Sequence, residues 1–163
     1  MKFSEMKYER PDIGALKSQL QSLVDRLEAA GSYEEARAVF LEREKLEKHI
    51  STLSSLANIR NDIDTRDEFY DGEAKFWNAA GPELEEYSQK WTQAMLDSRF
   101  RADFTAEYGG LMFLNAEIAR KAFSPEIIPE LQQENDLTLE YDKLIASAQV
   151  PFEGKTYTLA QME

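Results

Sequence analysis

Apolar residues recur at steps of three and four along almost the whole chain, the period of a helix with one buried face. Ile13, Leu16, Leu20, Leu23, Leu27 and Ala30 form the first stripe. Asp12, just after Pro11, is placed to cap it, and Gly31 to end it in a left-handed turn. Ser32-Tyr33-Glu34-Glu35 has the spacing of a capping box and opens a second helix. Its stripe is Ala36, Val39, Phe40, Leu46, Ile50, Leu53 and Ala57, extending toward Ile63, with Glu44 and Lys48 one turn apart on the outer face.

A second capping box, Thr65-Arg66-Asp67-Glu68, opens a third helix presenting Phe69, Phe76 and Ala80. Gly81-Pro82 is expected to break or restart it, because proline fits a first turn but not a helix interior. Leu84, Tyr87, Trp91 and Met95 continue the pattern, and Ser98 to Arg101 reads as a connector. Asp103 to Ala122 reads as more helix, bent or interrupted at Gly109-Gly110. There Leu111, Leu114, Ile118 and Ala122 form one stripe, and Met112, Ala116, Ala119 and Phe123 another, the pattern of a helix buried between others. Ser124-Pro125-Glu126 opens a last helix, with Pro129 in its first turns and Leu131, Leu137, Tyr141, Leu144, Ile145 and Ala148 on its inner face.

The texture then changes. Val150-Pro151-Phe152 and Lys155 to Leu159 flank Glu153-Gly154 as two short strands around a turn. Such a hairpin is marginal alone and needs something to pack on. The fold class expected is all-α: an antiparallel bundle of about five to seven helices with a short C-terminal β-hairpin at 149–160, in one domain over 1–163. At 163 residues the chain is long enough for one hydrophobic core and should expose roughly 8,000 Å² when folded compactly.

Composition narrows the function. No stretch approaches the run of about 20 apolar residues a membrane span needs, and Met1 to Glu5 lack the apolar core of a signal peptide. The formal net charge is −12, and between Asp103 and Asp142 nine acids face two bases, Arg120 and Lys121. Such a surface repels phosphate backbones and anionic lipid, so neither nucleic acid nor membrane is an expected partner.

There is no cysteine, which fits a reducing cytoplasm and excludes disulfides, thiolate metal sites and a cysteine nucleophile. The one histidine, His49, lies beside the Leu46–Ile50–Leu53 stripe and reads as a partly exposed structural residue. A di-iron bundle needs two Glu-x-x-His motifs, a catalytic zinc needs more imidazoles or thiolates, and neither a Gly-x-Ser-x-Gly elbow nor a phosphate loop is present. Acid pairs such as Glu83 and Glu86 read as solvated, and so does the charged junction from Asn61 to Glu68. Phe69, Tyr70, Phe76, Trp77, Tyr87 and Trp91 read as core, with a peptide groove as the alternative. No catalytic, cofactor-binding or metal-ligating residue is assigned.

Three stretches carry a resemblance. They are Lys2 to Pro11, Ile59 to Asp71, and Phe123 through Leu144-Ile145-Ala146-Ser147-Ala148 to Leu159. In order and spacing they resemble the amino-terminal region of bacterial oligoendopeptidase F, a thimet-oligopeptidase-like zinc metallopeptidase. The resemblance implies a fragment of roughly the first quarter of such an enzyme. Its His-Glu-x-x-His helix and further glutamate ligand are absent here, so no catalytic position carries over. It also implies a non-catalytic domain forming one wall of a channel, zinc in the parent but none in this chain, and short peptides and the catalytic domain of the same polypeptide as partners. A stand-alone helical adaptor is the alternative, resting on the long stripe of the second helix.

Overall fold

The computed structural model describes residues 2–122 and 124–162. After a 3₁₀ turn at Phe3–Glu5 come α1 (Ile13–Ala29), α2 (Tyr33–Ile63), α3 (Glu68–Asp97), α4 (Arg101–Tyr108) and α5 (Leu111–Ala122). A second 3₁₀ turn at Pro125–Ile127 leads to α6 (Ile128–Ser147), strands β1 (Val150–Phe152) and β2 (Lys155–Tyr157), and the one-turn α7 (Leu159–Met162). The all-α bundle with its C-terminal hairpin is therefore the observed class. The strands pair antiparallel with Pro151 opposite Thr156, around a turn in which Glu153 and Gly154 both take positive φ.

The helix starts follow from local chemistry. Asp12 accepts from the Ala15 N–H, and Ser32 accepts from the Glu35 N–H. Glu35 returns its carboxylate to the Gly31 N–H at 2.6 Å, one residue before the cap. The cap of α3 is Asp67, which accepts from Phe69 and Tyr70, rather than Thr65. Gly31 does not adopt the expected left-handed turn: α1 ends with Ala30 in extended backbone, and the positive-φ helix stop is Gly109, after α4.

α1, α2 and α3 run up, down and up, and α3 is the hub that also meets α4, α5 and α6. Two clusters of buried side chains lie along it. One joins Leu16, Leu20, Leu53, Ala57, Trp77 and Leu84. The other is larger and gathers Leu23, Leu27, Val39, Trp91, Met95, Phe104 and Phe113. Phe104 is fully buried, with Tyr33 edge-on at 5.1 Å and Phe40 at 5.4 Å. The stripes read for α1 and α2 fall in these clusters, except that Ile63 is 71 % exposed.

Three further expectations are corrected. The helix does not break at Pro82: α3 runs through it, and the proline is buried. Proline withholds the N–H that the Asn78 carbonyl would receive, and the Asn135 side chain from α6 donates to that carbonyl instead, at 3.4 Å. The neighbouring Ala79 carbonyl accepts from Gln132 at 2.7 Å, and Asn78 donates back to the Asn135 carbonyl at 3.3 Å. Next, α5 is not enclosed: Met112, Phe113 and Ala116 pack on the core, while Leu111, Leu114 and Ile118 are exposed. Ala119 is exposed too, and Phe123 and the Ala122 side chain lie outside the described residues. Finally, α6 buries none of its described residues. Leu131 is half-buried, whereas Leu137, Tyr141, Leu144 and Ile145 are exposed, so the predicted inner face is split between opposite sides.

Candidate functional site

The most densely built polar site joins the N-terminal arm to α3. Glu73 sits on the buried side of α3, one turn before Trp77, with its side chain only 3 % exposed. Arg10 donates to it as a fork, from Nε at 3.1 and 3.0 Å and from Nη2 at 2.5 Å. The Tyr8 hydroxyl donates to Glu73 Oε2 at 2.5 Å and accepts from Trp77 Nε1 at 3.1 Å. The Arg10 guanidinium also lies over the Phe76 ring, 4.7 Å from its centroid.

These contacts fix the charges. Arg10, and after it the Tyr8 hydroxyl, hold the Glu73 carboxyl below its usual range despite burial. Burial, reinforced by Glu73, pushes the Tyr8 phenol up to about 12. A carboxylate already taking these donors is a poor general base, and no imidazole is near: His49 is exposed on α2. The cluster is a structural lock. A second contact fastens the same arm: Arg60 donates to the Met6 carbonyl and, at 2.6 Å, to the Tyr70 hydroxyl.

The remaining sequence expectations fall elsewhere. Glu83 pairs with Lys17, and Glu86 with Lys90 at 2.8 Å, so these acids form surface ion pairs. On α2 Arg43 pairs with Glu47 at 2.9 Å and with Glu44 at 4.0 Å, so the partner of Glu44 is Arg43 rather than Lys48. Trp77 and Trp91 are buried in different clusters, Phe76 and Tyr87 are half-buried against that of Trp77, and Phe69 is 57 % exposed. In the charged junction Asp64 pairs with Arg66 at 2.9 Å, yet Asn61 is buried with Oδ1 lacking a partner among the described residues.

The lock was missed at the sequence level. Its signal is Glu73 within the apolar row of Ala74, Trp77 and Ala80: an acid at a core position demands a cation. Among the described residues no three His, Cys, Asp or Glu side chains gather to hold a metal. No helix there is long and apolar enough to cross a membrane.

Residues 3–123 match the Peptidase M3 N-terminal domain. No curated protein shows significant similarity. Among solved structures, a protein assigned as an oligoendopeptidase F superposes with a TM-score of 0.96 at 40 % identity. PZ peptidase A, solved with an inhibitor, gives 0.95 at 39 %, and a Bacillus anthracis protein assigned as an oligoendopeptidase F gives 0.95 at 33 %. Each likeness covers 99 % of this chain but only 29 %, 29 % and 30 % of the other.

Proposed function

The chain belongs to the Peptidase M3 N-terminal domain family, and from that premise we propose that it is the non-catalytic N-terminal domain of a cytoplasmic zinc metalloendopeptidase of the oligoendopeptidase F type. The parent hydrolyses internal bonds of short peptides. This domain forms one wall of the channel that admits them, and its partners are those peptides and the catalytic part of the same polypeptide. The observation carrying the reading is the superposition over 99 % of the chain on two proteins assigned as oligoendopeptidase F, each more than three times as long.

The residues present do not fit a catalytic zinc. One exposed imidazole and no thiol leave too few donors, and no step of hydrolysis is assigned to this chain. The adaptor alternative loses its support, because Leu53 and Ala57 are buried in the bundle and Leu46 and Ile50 pack against them.

The test is enzymatic. The coding frame is expressed through the segment following Glu163, and beside it the 163-residue chain. The longer polypeptide should cleave fluorogenic oligopeptides in a chelator-sensitive way, and the shorter chain should not. Turnover by the 163-residue chain with zinc would overturn the reading, as would a longer frame inert toward peptides.

A further inference from the structure

α6 has two unlike sides. Leu131, Asn135, Leu139 and Lys143, four residues apart, are half-buried. On this side Asn135 meets Asn78 and Lys143 pairs with Asp71, both on α3. Two positions along a helix is about 200° around its axis. Leu137 and Tyr141 therefore lie across the helix from Asn135 and Leu139. Glu134, Leu137, Tyr141 and Leu144 step by three, four and three along α6, the steps of a heptad row. Its three large members are 56 %, 62 % and 66 % exposed. A row this narrow and straight suits one helix lying along it at a shallow angle.

Charge specifies the chemistry of that helix. From Glu126 to Glu153 there are seven acids and a single cation, Lys143, which is tied back to Asp71. Two copies of this chain meeting along the row would bring Glu134 and Glu140 of each together without a counter-ion, so a second copy is a poor occupant. An amphipathic helix with Lys or Arg beside its apolar row is a good one.

Its source follows from length and area. The family match stops at residue 123, before α6, and this chain spans 29 % of the length of its structural relatives. Its exposed surface of 10543 Å² exceeds by about 2,200 Å² that of a compact monomer of its mass. That excess is on the scale of one side of an obligate interface.

We propose that the Leu137–Tyr141–Leu144 row of α6 is the seat of a basic-flanked amphipathic helix supplied by the remainder of the same polypeptide. The inference rests on the peptidase reading above, and adds which element is covered and what covers it.

Thiol footprinting tests it, since the chain has no cysteine of its own. Leu144→Cys and, as an exposed control on the same helix, Asp142→Cys are each placed in the longer polypeptide, and maleimide labelling at the site is followed by peptide mass spectrometry. Peptide cleavage is measured in parallel and reports the peptidase reading separately. The expected result is labelling at least tenfold slower at Leu144→Cys than at Asp142→Cys, with equal rates for the same pair in the 163-residue chain. Equal rates in the longer polypeptide would overturn the seat, whether or not peptides are cleaved. Protection in the 163-residue chain that disappears on dilution would assign the row to a second copy and overturn it equally. Charge gives an independent arm: Glu134→Lys with Glu140→Lys should speed labelling of Leu144→Cys in the longer polypeptide, and no change would remove the basic flanks from the proposal.

Discussion

At the residue scale, the Tyr8–Arg10–Glu73–Trp77 lock decides how the N-terminal arm is held. Tyr8→Phe removes a donor to Glu73 and an acceptor for Trp77, and should cost about 1–2 kcal/mol of stability by chemical denaturation. The pH dependence has two arms of opposite sign. Glu73 has a lowered folded pKa, chiefly through Arg10, so its contribution is present above the ordinary value of 4.5 and is lost as pH falls through the lower folded value. Glu73→Gln should therefore melt below the parent at neutral pH, with the gap narrowing in acid. A gap that stays constant would show that the carboxylate charge is not what matters. Tyr8 has a raised pKa, so its contribution holds below 10.0 and is lost as pH rises through about 12. Tyr33, raised to the same level by burial and by Glu107, gives a second loss in that window. Tyr8→Phe should thus reduce the alkaline fall in melting temperature without abolishing it.

At the scale of elements, the joint between α3 and α6 turns on the missing N–H of Pro82. Asn135→Ala leaves the Asn78 carbonyl without that donor, which should cost about 1–2 kcal/mol and speed amide exchange in α6. In a Pro82→Ala background the same change should cost less, because the restored N–H reaches Asn78. Additive costs in this double-mutant cycle would separate the two features. This joint also marks where sequence reading ends. α1 and α2 were legible because their apolar rows meet partners inside the chain, as Leu20 and Leu53 do. The proline rule mispredicted α3 because the compensating donor lies 57 residues away in sequence. For α5 and α6, periodicity located the helices and their apolar faces but not which face is covered, since a row such as Leu137, Tyr141 and Leu144 reads alike whether its partner is nearby or elsewhere. The lock was illegible for a related reason: Arg10 lies in the Lys2–Pro11 stretch, but nothing in the sequence pairs it with Glu73, and only folding joins them across 63 residues.

For the molecule as a whole, charge and surface act together. In the peptidase reading proposed above, a formal charge of −12 would stand on one wall of the peptide channel and set up a field that acts beyond any single ion pair. Internal pairing leaves this net charge intact, because each pair takes one acid and one base and acids outnumber bases by 31 to 19. The field should concentrate cationic peptides at the channel and deplete anionic ones, a bias on encounter rather than on chemistry. Encounter enters kcat/KM, so the bias belongs in the ratio of kcat/KM for a lysine-bearing peptide to that for a matched glutamate-bearing one. Salt separates this from a specific contact. The screening length is about 30 Å at 0.01 M salt and about 3 Å at 1 M, so a long-range field is removed while a direct, partly buried ion pair largely persists. The longer polypeptide should therefore favour the basic peptide at low salt, with the ratio falling toward one as salt rises. A ratio unchanged by salt would place discrimination in close contacts and leave the long-range field of this acidic surface no part in choosing the substrate.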